Sequence, residues 1–247
     1  MIKAHKRIGQ TPLELLEEIR SNNPKLKNEK MSYAGRLDPM AVGEMLIMVG
    51  KKENSQREKY LKFDKTYEAD ILFGFSTDSH DLLGIVESIS TKVISTNELK
   101  AALKILKKIK KIKYPVFSSK NVKGKPLFEW KKTGKINEIK IPERDIKIKK
   151  LKLIQNYEIK GIKLWNYINF SINEVKGDFR QKEILDKWYE ILSENNNLYQ
   201  VSKIRFKVSS GTYIRSLADI LGKEMETAGC LLSLNRIRIH RKTLYKS

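Results

Sequence analysis

The chain has 247 residues, 40% of them hydrophobic, which is enough for one large or two small domains with a substantial core. Fifty basic against twenty-nine acidic residues give a net charge of +21 and an isoelectric point near 9.8, and an excess this large points to a polyanionic partner, nucleic acid foremost. The single cysteine, Cys230, excludes an internal disulfide, the scattered His5, His80 and His240 offer no zinc spacing, and no apolar run approaches membrane-spanning length, so a soluble, cytoplasmic protein is expected.

In chain order, His5 to Gly9 reads as an extended lead-in. Thr11-Pro12-Leu13-Glu14 is a capping box with proline at the first helical position. The helix it opens runs through Leu15, Leu16 and Ile19 and stops near Asn22-Asn23-Pro24. A polar connection, Pro24 to Lys30, leads into Ser32–Gly50, the stretch around which the chain is organised. Gly35 supplies backbone angles closed to other residues, and Pro39 holds Leu37-Asp38 extended. Met45 to Val49 is a continuous apolar run, read as a buried strand. Asp38 is thus displayed on a constrained loop anchored in the core, although an Asp-Pro turn is also an ordinary surface turn.

Lys51 to Lys65 reads as a short surface helix or loop. Thr66 to Phe75 alternates as a strand, with Tyr67, Ala69, Ile71, Phe73 and Phe75 on one face. Ser76 to Gly84 turns the chain, Asp78 and Asp81 stabilise that turn, and Ile85 to Ile89 is the antiparallel return. A helix opening at Asn97-Glu98 sets Leu99, Ala102, Leu103, Leu106 and Ile109 against a crowd of lysines from Lys104 to Lys111. Between Tyr114 and Gly134, Phe117, Phe128 and Trp130 interleave with lysines, a mixture suited to stacking and backbone contacts on RNA. Phe128 among them is expected in the core.

Pro142 precedes a strand-like alternation from Ile146 to Leu153. In Lys160–Asn197, Asp178-Phe179-Arg180-Gln181 reads as a second capping box. The helix it leads has Ile184, Leu185, Trp188, Ile191 and Leu192 on one face and ends at Asn195-Asn196-Asn197. Ile204 to Val208 is a strand that Ser210-Gly211-Thr212 turns into a helix, Tyr213 to Ala228. Arg215 falls in its first turn, where a cation is unfavourable against the helix dipole; it is either a surface residue or held by an acidic partner.

Several of these stretches share one resemblance. G-R-L-D-P-M-A-V-G, Gly35 to Gly43, resembles the catalytic loop of TruB-type tRNA pseudouridine synthases, G-x-L-D-P-x-A-x-G. D-K-T-Y-E-A from Asp64 and G-F-S-T-D-S-H-D-L-L-G from Gly74 are similar to two further segments of that family. So are Tyr114–Gly134, with Phe117 where the family usually has tyrosine, and G-T-Y-I-R-S-L-A-D-I-L-G from Gly211. Gly229 to Ile239 resembles the closing segment.

The resemblance implies an α+β pseudouridine-synthase fold: a single catalytic domain with a mixed, mostly antiparallel sheet flanked by helices. It implies isomerisation of a flipped-out uridine, with the T-loop of tRNA as target and the T-arm as partner. Asp38 would be the catalytic residue, Arg215 would hold it as an ion pair, Tyr67 would stack on the uracil and Leu231 would line the pocket. Tyr33 stands where the family usually has the histidine that displaces T-loop bases. No metal, organic cofactor, membrane or protein partner is implied, and a monomer is expected. The PUA domain usual in bacterial members is expected to be missing, and Lys160–Asn197 reads as an insertion relative to them. Two other readings stand beside this one: a non-catalytic tRNA-binding chaperone of the same fold, and a metal-dependent nuclease using Asp38, Asp78 and Asp81.

Overall fold

A computed structural model describes residues 1–193 and 197–240. Strand β1 (Ile2–Lys6) is followed by helix α1 (Pro12–Ser21), which Thr11 and Glu14 cap reciprocally as expected. A short hairpin, β2 (Met31–Ala34) and β3 (Val42–Val49), encloses the Asp38 loop. Two helical turns, α2 (Gly50–Asn54) and α3 (Arg57–Leu61), then lead to β4 (Asp64–Phe73), β5 (Phe75–Thr77) and β6 (Val86–Ile89). Helix α4 (Thr96–Leu106) and strands β7 (Lys111–Lys113), β8 (Asn121–Val122) and β9 (Lys125–Pro126) follow, then α5 (Leu127–Lys132) and β10 (Glu143–Asp145). The long β11 (Ile148–Lys160) runs into a helical hairpin, α6 (Gly161–Asn173) and α7 (Gln181–Leu192). Strand β12 (Leu198–Val208), helix α8 (Ile214–Glu224) and strand β13 (Gly229–His240) complete the described chain.

Seven strands form one sheet in the order β1-β3-β13-β4-β12-β11, with β2 also paired to β3. All pairings are antiparallel except β3 with β13. The class is therefore α+β, as the alternating strands and amphipathic helices imply. Period-two alternation divides the core between the sheet's faces. Tyr67, Ala69, Ile71 and Phe73 of β4 pack with α1, α4 and α8, while Leu72 joins Val201 and Cys230 against α6 and α7. Strand β3 is apolar from Met45 to Val49 because both its faces are covered there: Met45 and Ile47 join the first core, Leu46 and Met48 a smaller one around Phe63. Among the described residues no helix is long and apolar enough to cross a membrane.

Four local expectations need correction. Gly74, at φ 92°, ends β4 one residue before Phe75, which turns into the second core instead of continuing the first. The return strand β6 consequently pairs with β5 and not with β4, whose neighbours are β12 and β13. Asp178–Gln181 is not a capping box: α7 starts at Gln181, and its cap, Arg180, makes no capping bond. Phe128 is 36% exposed, and Leu127 takes the buried place. The end expected for α7 at Asn195-Asn196-Asn197 falls largely outside the described residues. The hairpin's first helix, α6, has no counterpart in the elements expected from sequence; Leu164, Ile168 and Ile172 bury its inner face.

Candidate active site

The Asp38 loop is short and almost without internal hydrogen bonding, so most of what fixes it comes from elsewhere. Its own contribution is one turn, Ala41 N–H to Asp38 O at 3.0 Å, and Leu37 and Ala41 tucked into the core. Buried cations take up the main-chain oxygens of Gly35, Pro39 and Ala41. Lys6, fully buried at the end of β1, donates from Nζ to Ala41 O (2.7 Å), Arg7 O (3.0 Å) and Pro39 O (3.1 Å). Arg236, buried in β13, donates from Nε to Glu44 O (2.6 Å) and from Nη2 to Gly35 O (3.1 Å). A buried charge survives only when its donors are satisfied, and these carbonyls do that. Burial drives the pKa of Lys6 down to about 8, against the pull of the Asp38 charge.

Arg215 stands in the first turn of α8, its side chain turned inward and only 4% exposed. Gly211, at φ 78°, makes the turn into this helix: a Cβ there would lie 2.0 Å from the Arg144 guanidinium. Arg215 Nη1 donates to Ser79 O (3.0 Å) and Nη2 to Phe117 O (2.8 Å), so two distant segments meet on one guanidinium. Its Nε lies 3.1 Å from Asp38 Oδ2, an ion pair off the line of a good hydrogen bond, and 4.0 Å from Asp81 Oδ2. Burial opposes the Arg215 charge, and the Asp38 and Asp81 carboxylates more than offset it, so the guanidinium pKa moves up. The helix-dipole penalty is answered by two carboxylates and two carbonyls.

The two aspartates differ in access. Asp38's side chain remains 37% exposed, within reach of a ligand. Asp81's is buried, which pushes its carboxyl up, against Arg215 and hydrogen bonds from Ser79 and Leu83. Asp78 and Asp81 both accept turn N–H groups, from Ile85 (3.0 Å) and Leu83 (3.1 Å), as turn stabilisers should. Each also carries an arginine that the turn reading did not foresee, Arg180 for Asp78 and Arg215 for Asp81. Asp38, Asp78 and Asp81 form no ligand set, and among the described residues no three His, Cys, Asp or Glu side chains converge on one point. The sequence-level nuclease reading therefore loses its constellation.

Leu231 lies beside this centre: it bridges to Asp81 along the chain edge, and its N–H donates to His80 O (2.9 Å). Tyr67 is nearly buried in the core that also holds Leu37 and Leu231. It pairs with Arg236 across β13, four residues along β4 from Leu231's partner Ile71. Tyr33, on β2, packs against the same core with its phenol 3.4 Å from Arg36 Nη2. Sequence reasoning passed over Lys6, Arg144, Arg236 and Tyr213. Tyr213, the residue before α8, sits edge-on to Tyr114 with ring centres 5.8 Å apart and 5.6 Å from the Arg215 guanidinium carbon. Burial first, then the Asp38 charge, raises its phenol pKa. A signal was present for Tyr213, since it lies inside the G-T-Y-I-R motif; a lone lysine at residue 6 gave none.

The arrangement is a partly exposed carboxylate, oriented by a buried arginine, beside aromatic and aliphatic side chains on a basic protein. The model of the TruB family pseudouridylate synthase N-terminal domain matches residues 23–179. The tRNA pseudouridine synthase B of Caldicellulosiruptor saccharolyticus is 29% identical over 94% of this chain and 64% of its own length. That of Protochlamydia amoebophila is 29% identical over 93% of this chain and 70% of its own. The chain thus spans about two thirds of the length of these curated relatives. In three dimensions it resembles a chain from the crystal structure of a Cbf5-Nop10-Gar1 complex, with a TM-score of 0.57 and 16% identity, over 95% of this chain and 47% of that one.

Proposed function

Because the chain belongs to the TruB family of pseudouridylate synthases, we propose that it isomerises a uridine of tRNA to pseudouridine, acting in the cytoplasm on the T-arm and on the T-loop uridine at position 55. The observation that carries this reading is the Asp38–Arg215 pair at 3.1 Å on a loop of the family pattern. The net charge of +21 supports a tRNA substrate, and the names of the curated relatives agree with it.

A uridine within folded RNA is out of reach, so the nucleotide is first flipped out to Asp38. The C1′–N1 bond then breaks with its electron pair on uracil, the base rotates, and C5 bonds to C1′. The C5 proton is lost and N1 takes up a proton, so product and substrate are isomers. Asp38 serves this sequence as nucleophile at C1′ or as base toward the ribose. Arg215 keeps its carboxylate aimed, Tyr67 stacks on the uracil, and Leu231 and Tyr33 complete the walls.

Tritium release from a tRNA transcript labelled at uridine C5 tests the proposal. Release by the wild type and none by Asp38→Asn is expected. Release that survives Asp38→Asn would remove Asp38 from the chemistry. No release at all, with RNA binding intact, would replace catalysis by a tRNA-folding role.

A further inference from the structure

The α6–α7 hairpin is not built for attraction to RNA. Residues 160–197 carry six basic and six acidic side chains, in a chain whose net charge is +21. Its contacts lead instead toward the walls of the site. At the end of α6 the backbone presses on Gly9, where a Cβ would lie 1.9 Å from Glu174 O, and Gly9 N–H donates to Pro39 O in the Asp38 loop.

The second contact is Arg180. It enters α7 in the left-handed region, at φ 64°, a conformation that long side chains adopt rarely and at a cost. In that conformation Nη1 and Nη2 donate to the two oxygens of Asp78, at 2.8 and 3.2 Å. The Asp78 side chain is only 7% exposed, so this is a fork-to-carboxylate pair largely out of water. The same guanidinium stacks over Phe117, 4.7 Å from the ring centre. Asp78 belongs to the turn that offers Ser79 O to Arg215, and Phe117 offers the other carbonyl. One side chain from the hairpin therefore grips both segments that hold Arg215.

We propose that Arg180 is a positioning residue: it clamps the Asp78 turn to the Phe117 segment and so keeps Arg215 aimed at Asp38, without touching the RNA. Its catalytic consequence rests on the function proposed above. Losing the clamp disturbs the chemical step while leaving the RNA-binding surface intact, so kcat falls and KM does not rise.

The test compares wild type, Arg180→Ala and Arg180→Ala/Asp78→Asn in steady-state tritium release and in amide hydrogen exchange. In Arg180→Ala, kcat falls about tenfold or more with KM within about twofold. Exchange quickens in peptides covering 77–85 and 114–120 and not in α4. In the double variant the asparagine still accepts the Ile85 N–H and no buried carboxylate is left unpaired, so thermal stability recovers while kcat stays low. Unchanged kcat in Arg180→Ala, or kcat that recovers together with stability, overturns the proposal. If the wild type itself releases no tritium, the functional reading fails; the clamp is then decided by exchange alone, and unaltered exchange in those two segments overturns it.

Discussion

Arg215 and Asp38, at opposite ends of the sequence, meet at 3.1 Å with the arginine buried and the aspartate partly exposed. The pair is asymmetric: Arg215 is fixed by two carbonyls and a second carboxylate, whereas Asp38's side chain has no other charged partner within 4 Å among the described residues. Arg215→Lys keeps the charge but cannot span Ser79 O, Phe117 O and Asp38 together. Single-turnover tritium release is expected to slow about a hundredfold. A loss below threefold would mean that charge alone, without the fork, suffices.

Asp81→Asn isolates the second carboxylate. The amide oxygen still accepts from Ser79 and Leu83, so the turn persists, but Arg215 retains Asp38 as its only carboxylate. The expected outcome is a kcat lowered about tenfold with little change in melting temperature. A large fall in melting temperature with unchanged kcat would make Asp81 a fold residue only.

Lys6 gives a pH signature. Its folded pKa of about 8 lies below the ordinary 10.5, so between these values the unfolded chain binds the extra proton and stability rises with pH. Lys65, likewise buried and lowered to about 8, acts in the same window. Lys6→Met should therefore diminish the rise in urea midpoint above about pH 8. An undiminished rise in that variant would show that Lys6 titrates normally.

Gly43→Ala probes how closely the loop is seated. The residue sits at φ 115°, and a Cβ would lie 2.4 Å from Arg236 O, so backbone strain and a clash with the central strand coincide. A cost of about 3 kcal/mol, or a melting temperature lower by about 6–12 °C, is expected by calorimetry. A shift under 2 °C would show that β13 can yield.

Binding should be strongly electrostatic. With a net charge of +21, affinity for a tRNA transcript is expected to drop about a thousandfold between 50 and 200 mM salt. A drop under tenfold would point to recognition through few phosphates.

Much of this was legible because it is local. The Thr11 capping box, the continuous apolar run of β3 and the loop pattern around Asp38 are written in neighbouring residues, and each has its expected form. What escaped the sequence reading is tertiary. Lys6 is one lysine among many until β1 pairs with β3 and buries it against Pro39 and Ala41. Gly74 looks like a tolerable residue inside an alternating strand, yet its positive φ sends Phe75 to the opposite core. Arg180 read as part of a cap because the spacing of Asp178 and Gln181 was right. The backbone instead turned left-handed, and Gln181 bonded back to Val175 and Gly177.

The buried cations that fix the Asp38 loop come from residue 6, residue 215 and residue 236. Strand β13, which supplies Arg236, is also the strand between β3 and β4. On a ribosome, the loop and its hairpin would emerge early and wait, without the arginine that Gly35 O and the Glu44 carbonyl accept from, until residues 229–240 had been made. The centre of the sheet closes only then, and the Asp38 carboxylate gains its setting in the same event. A nascent chain therefore carries its Asp38 long before it carries the Arg215 and Arg236 that fix it.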